Sequence, residues 1–100
     1  MKILFLGTGT STGIPQIGCD CKVCQSCDSK DKRLRTSLLV TIENKNILID
    51  CGPDFRQQML NYNVRDLDAV LLTHHHYDHI SGLDELRSFT NSKSMPIYVE

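Results

Sequence analysis

The chain has 100 residues, of which 40% are hydrophobic and 23% charged, with a formal net charge of -1. A protein of this length supports at most one domain and buries only about two-thirds of the surface its unfolded form exposes, while the near-neutral charge and ordinary apolar content exclude a bulk polyanion binder, a disordered polyelectrolyte and a membrane-spanning chain. The opening apolar run, Ile3-Leu4-Phe5-Leu6, is shorter than the roughly 7–15 residues of a secretory signal, so a cytoplasmic location is expected.

Residues 2–6 alternate loosely and stop at Gly7, which predicts a first strand. A turn-rich stretch follows over 7–35, opening on the glycine- and hydroxyl-rich run Leu6 to Pro15. Its third glycine, Gly13, falls one place late for G-x-G-x-x-G and no Gly-Lys-Ser/Thr comes after it, so neither a dinucleotide loop nor a phosphate-binding P-loop is supported. Ser37 to Ile42 is apolar and β-branched, Glu43-Asn44-Lys45-Asn46 supplies turn residues and Ile47-Leu48-Ile49-Asp50 is apolar again, which predicts a hairpin. Pro53 suits the first position of a helix over 53–62 with Phe55, Met59, Leu60 and Tyr62 on one face. Asp68 to Thr73 reads as a buried strand that delivers the chain into a histidine cluster. Ser81 with Asp84 three residues on resembles a capping box for a helix over 82–91 with Leu83, Leu86 and Phe89 inward. Pro96 then precedes a last strand, Ile97-Tyr98-Val99. The order predicts a mixed α/β layout with helices against a sheet.

Of the five cysteines, Cys19, Cys21, Cys24 and Cys27 fall close together. The odd total of five and the tight spacing of these four point to metal rather than a disulfide framework. Clustered thiolates favour a tetrahedral zinc that contributes folding energy directly, which predicts a structural zinc knuckle over about 18–28. A redox C-x-x-C is the alternative, without the βα context such motifs use; a knuckle gripping single-stranded nucleic acid is another. The nearby Lys30, Lys32, Arg33 and Arg35 form either a solvated face or an attractor for a phosphate-bearing substrate. Cys51 reads as a small buried hydrophobe.

All four histidines lie within Thr73-His74-His75-His76-Tyr77-Asp78-His79. Neutral imidazoles with one carboxylate among them suit zinc, manganese or iron. Leaving the end of a strand, His74 and His76 can point the same way at a two-residue spacing, while Asp78 and His79 follow on the turn into the next helix. His75 is not expected to be a ligand. Asp50-Cys51-Gly52 ends an apolar strand, and Asp50 either orients a ligand histidine by accepting a hydrogen bond or turns the strand and caps helix 53–62.

The pattern H-x-H-x-D-H resembles the signature of the metallo-β-lactamase superfamily. With Asp50-Cys51-Gly52, the Leu6–Pro15 loop and the Gly18-Cys19-x-Cys21-x-x-Cys24 knuckle, the chain most resembles the branch holding the phosphoribosyl cyclic phosphodiesterase and ribonuclease Z. The resemblance implies an α/β chain of α+β sandwich type: the N-terminal portion of an αββα fold, its mixed sheet carrying helices on one face, with residues 1–100 a partial domain. It implies that His74 and His76 bind one ion and Asp78 and His79 a second, that Asp78 also handles protons, and that Asp50 lies beneath the metal loop. Two divalent ions, zinc or manganese, and one structural zinc are implied. The fourth ligand of the zinc site is Cys27 or a distant histidine that this sequence lacks. The implied activity is that of a metal-dependent hydrolase, a phosphodiesterase acting on a small cyclic or diester phosphate through a metal-bridged hydroxide. Alternatives are a thioesterase, a tRNA-processing nuclease or a non-catalytic zinc-binding module. The expected partner is a small phosphate ester, with nucleic acid the lesser alternative and no membrane. Further metal ligands, two histidines and a bridging aspartate, belong beyond the motif, and no histidine follows His79. Together with the apolar run before Glu100, this suggests an interrupted fold whose site is completed by the remainder of the domain or a second chain; the lone chain is expected to bind metal weakly.

Overall fold

Five short segments rich in apolar residues form a single sheet in the computed structural model, which describes residues 1–100. The strands are β1 (Lys2–Gly7), β2 (Ser37–Ile42), β3 (Lys45–Ile49), β4 (Ala69–Leu72) and β5 (Ile97–Val99), paired in that order. The first two pairings are antiparallel and the last two parallel. The switch occurs at β3, where the connection carries helix α1 (Phe55–Asn61) before the chain returns as β4.

The hairpin between β2 and β3 is tighter than expected. Lys45 pairs with Ile42, so only Glu43 and Asn44 form the turn, and both adopt positive φ, 49° and 63°. A two-residue loop of this hand matches the twist of the flanking strands. Lys45 and Asn46, read above as turn residues, are the first residues of β3.

Register divides the sheet into two unlike faces. Leu4, Leu39, Leu48 and Val70 lie side by side across four strands and join Leu6, Cys51, Phe55, Met59, Leu67 and Leu86 in one core. The helical segments therefore pack on one face, as expected. The opposite face carries the row Phe5, Leu38, Ile49, Leu71 and Tyr98. Phe5 is 61% exposed and Tyr98 58%, so an apolar layer is open to solvent.

Two expectations about the helices need correction. Along α1 the buried residues are Phe55, Gln58 and Met59, whereas Leu60 and Tyr62 are exposed. Gln58 faces inward because its Nε2 donates to the Arg35 carbonyl at 2.8 Å, a long-range partner that periodicity does not reveal. The helix predicted over 82–91 is instead α2 (Tyr77–Ile80), a 3-10 turn (Leu83–Leu86) and α3 (Arg87–Thr90). The break has a visible cause: the Gly82 N–H donates to the Cys51 carbonyl at 2.9 Å and so leaves the helical ladder. Ser81 closes α2 rather than opening a helix, and no side-chain cap forms at the 3-10 turn. Leu86 is nevertheless buried, and Leu83 and Phe89 pack against the core.

Candidate metal centre

Strand β3 ends at Ile49, and the next residue, Asp50, turns sharply with φ of 64°. A left-handed conformation is tolerated by aspartate better than by β-branched or bulky residues. Its backbone is fixed on two sides: the Asp50 N–H donates to the Leu71 carbonyl at 2.9 Å, and the Ser37 hydroxyl donates to the Asp50 carbonyl at 2.9 Å. The side chain is buried, yet its oxygens accept from the Thr73 N–H at 2.8 Å, from the Thr73 hydroxyl at 2.8 and 3.0 Å, and lie 2.7 Å from His79 Nδ1. A buried carboxylate is tolerable only when its lone pairs are met in this way. Of the two roles open to Asp50 from sequence, the cap is absent, because α1 begins after Asp54 and Asp50 makes no bond to it.

The segments around Asp50 and Asp78 run against each other closely. Cys51 N–H donates to the His79 carbonyl at 2.8 Å, and a Cβ on Gly52 would lie 2.0 Å from the Asp78 carbonyl oxygen. Only glycine permits that approach. Cys51 is fully buried beneath the loop, and burial pushes its thiol up to about 12, which suits an inert packing residue.

Extended backbone at His76, with φ of -69° and ψ of 149°, leads directly into α2. The rings of His74 and His79 lie 4.0 Å apart by centroid and those of His74 and His76 lie 4.6 Å apart. His79 Nε2 is 3.0 Å from Asp78 Oδ2. The His75 ring lies edge-on to that of His76, with centroids 5.9 Å apart. His74 and His76 are exposed, whereas His79 and Asp78 are 15% and 19% exposed at the side chain.

The His79–Asp78 pair fits a divalent cation. With Asp50 accepting the Nδ1 proton of His79, the Nε2 lone pair faces a carboxylate oxygen at 3.0 Å. Two electron-rich atoms at that distance need a cation between them, either an imidazolium proton or a metal ion. The ligand–ligand edge of a tetrahedral zinc with bonds of about 2.0–2.2 Å is about 3.3–3.6 Å, so a metal would spread the pair by a few tenths of an ångström. Of the four predicted ligands, His79 and Asp78 bring donor atoms to 3.0 Å, whereas no three of His74, His76, Asp78 and His79 bring their donor atoms within 4.8 Å of one another.

A second cluster forms in the 18–28 turn. The ligand atoms of Cys19, Cys21 and Cys24 all lie within 4.8 Å of one another, and Cys27 stands outside that group. The Cys24 backbone N–H directed at the Cys21 sulfur, with hydrogen bonds from neighbouring thiols, lowers Cys21 to about 7. The basic stretch beside it secures loops. Arg33 Nη1 donates to the Thr8 hydroxyl at 2.8 Å, and Arg35 donates to the Ser11 carbonyl at 3.0 Å and pairs with Asp54 at 3.0 Å. Arg35 thereby ties the Gly/Thr/Ser loop to the turn that follows Asp50-Cys51-Gly52. Sequence reading missed this strap, and it missed Thr73; the one available signal for Thr73 was a hydroxyl residue directly before the first histidine.

The larger concavity lies away from the donors. A cavity of about 430 Å³ lies on the helical side among Phe55, Met59, Val64 and Phe89. A smaller one, about 80 Å³, borders His74 and His75 beside Leu72, Ile80 and Val99.

Residues 45–100 match the family described as beta-lactamase superfamily domain. The chain belongs to the beta-lactamase superfamily. Among solved structures it is similar to a diphosphatase of the PhnP family, with 46% identity and a TM-score of 0.91 over 96% of this chain and 40% of that one. It is similar also to zinc-bound PqqB from Methylobacterium extorquens, with 28% identity and a TM-score of 0.83 over 98% of this chain and 36% of that one. Curated relatives include an octanoyltransferase of Porphyromonas gingivalis, 55% identical over the whole of this chain but over only 20% of that protein. Another is a ribonuclease Z of Methanopyrus kandleri, 47% identical over 55% of this chain and 20% of its own length. This superfamily chain thus spans between one-fifth and two-fifths of these proteins. No helix in it is long and apolar enough to cross a membrane.

Proposed function

We propose that this chain carries part of the active site of a metal-dependent phosphodiesterase acting on a small cyclic or diester phosphate. The observation that carries the reading is the His79 ring held between Asp50 and Asp78, at 2.7 and 3.0 Å, in a chain 46% identical to a diphosphatase. His74 and His76 are assigned to one divalent ion and Asp78 and His79 to a second, zinc or manganese. When bound, such ions supply Lewis-acid polarisation of a phosphoryl oxygen and a water acidified to near neutral pH. The chain's own groups orient and move protons: Asp50 fixes the His79 ring, and Asp78, with a second oxygen beyond the one facing His79, accepts the proton of the attacking water and returns it to the leaving oxygen.

Cys19, Cys21 and Cys24 are assigned to a structural zinc, with the fourth position filled by Cys27 or by a histidine from outside this sequence. Remaining active-site ligands come from the rest of the domain or a second chain, and the apolar sheet face around Phe5 and Tyr98 fits cover by the same source. The reading includes a cytoplasmic location, where such thiols stay reduced. The match to a ribonuclease Z favours a nuclease as the second reading.

The test is hydrolysis of bis(p-nitrophenyl) phosphate and of a cyclic nucleotide by the domain in its full-length protein loaded with zinc or manganese. Asp78→Ala is expected to lower kcat by about 10²–10⁴-fold. A loaded protein that cleaves no phosphodiester ends the proposal, and cleavage of precursor tRNA alone selects the second reading.

A further inference from the structure

We propose that Thr73 is a positioning residue that sets the ring of His74. Its hydroxyl oxygen lies 2.8 and 3.0 Å from the two Asp50 oxygens and 2.9 Å from His74 Nδ1. A threonine hydroxyl has one proton and two lone pairs, and an ionised carboxylate only accepts. The proton is therefore committed to Asp50, and the oxygen turns only lone pairs toward His74. For that 2.9 Å contact to be a hydrogen bond, His74 must carry its proton on Nδ1. Nε2 is then left as the unprotonated donor.

The arrangement is fixed at both ends. The Thr73 N–H also donates to Asp50 Oδ1 at 2.8 Å, so backbone and hydroxyl grip the same carboxylate, and a β-branched side chain is stiff about χ1. Asp50 itself is buried and held through its backbone by Leu71 and Ser37. One carboxylate thus governs two rings, His79 by direct contact and His74 through a single hydroxyl. Thr73→Val keeps the shape and the backbone bond while removing the hydroxyl; Thr73→Ser keeps the hydroxyl.

The consequence for metal rests on the reading of His74 as an ion ligand, but the ring itself is observable without metal. In the metal-free full chain, under mildly alkaline conditions, long-range ¹H–¹⁵N spectra of the imidazoles report which nitrogen bears the proton. The expected result is Nδ1–H for His74 in the wild type and in Thr73→Ser, and a shift toward the Nε2–H form in Thr73→Val. Zinc affinity, read by competition with a chromogenic chelator, is expected to fall about 10-fold or more in Thr73→Val and to recover in Thr73→Ser, the range usual for groups that orient a ligand histidine. A wild-type His74 protonated on Nε2 overturns the proposal outright, even if the valine variant does not fold. So does a folded Thr73→Val with unchanged ring signals. Ring signals as expected together with zinc that bypasses His74 support the hydroxyl's hold on the ring and bring down the ligand reading alone.

Discussion

Asp50 Oδ2 and His79 Nδ1 meet at 2.7 Å across 29 positions of sequence, joining the end of β3 to the first turn of α2. Replacement by asparagine keeps the outline of the side chain but removes the charge and places an amide donor among groups that also donate. Asp50→Asn is expected to weaken zinc binding at the histidine loop by about 10–100-fold. It should also cost about 1–3 kcal/mol of stability, the usual penalty for leaving buried donors unmatched. Chelator competition and urea unfolding measure the two effects, and wild-type zinc affinity in the variant would remove Asp50 from the site.

Gly52 allows the Asp78 carbonyl to approach within a distance no side chain permits, since a Cβ there would lie 2.0 Å from that oxygen. Gly52→Ala is expected to destabilise the chain by about 1–3 kcal/mol or more, because backbone rather than a flexible side chain must move. The zinc affinity of the histidine loop should fall with it. Thermal unfolding followed by circular dichroism provides the check.

His75 shares the loop but is not among the assigned ligands. His75→Ala is expected to change zinc affinity by less than about 2-fold, while His79→Ala lowers it by about 10-fold or more, as for groups that hold or orient a metal. Parallel zinc titrations of the two variants decide between a specific ligand set and a generic histidine-rich loop, in which both losses would be equal.

The cysteine cluster makes a separate prediction about metal removal. Cys21→Ser is expected to lose the zinc that survives dialysis against a chelator, and to lower the unfolding temperature with it, since a structural zinc contributes to folding. Cys27→Ser, outside the 4.8 Å group, should retain that zinc. Loss in both variants would show that Cys27 moves in to complete the site.

Asp68 ties three segments together. The Asn46 N–H donates to its Oδ2 at 2.8 Å, with Lys45 at 3.5 Å and Lys93 at 3.6 Å from Oδ1. The Asn46 N–H first, then the two lysines, hold its carboxyl below the ordinary value of 3.8. A lowered carboxyl contributes stability that is present above its unfolded value and lost as pH falls through the folded one. The stability difference between wild type and Asp68→Asn should therefore be constant near neutrality and shrink below about pH 4, as urea midpoints measured against pH would show.

Much of the site was legible because metal chemistry demands particular residue types at particular spacings. Four histidines in one heptapeptide, a carboxylate among them and three thiols in six residues are improbable as packing, and each reads without a fold. Strands were legible for a similar reason: loose alternation over β1 and apolar, β-branched runs over β2 and β3 are local properties of the chain. The hairpin turn was misplaced by two residues because Lys45 and Asn46 are polar and read as loop, although pairing across to Ile42 and Thr41 makes them strand.

What sequence alone determined, then, is the donor inventory, the strand segments and the family they resemble, all of which depend on residue type and near neighbours. Tertiary structure decided the rest. It decided that Gln58 turns inward to Arg35, that the Gly82 N–H leaves its helix for Cys51, and that Asp50 reaches past the strand end to Thr73 and His79. Each of these is a hydrogen bond between groups more than twenty positions apart, and partners at that separation are chosen by how the sheet and helices pack, which no local pattern of side chains encodes.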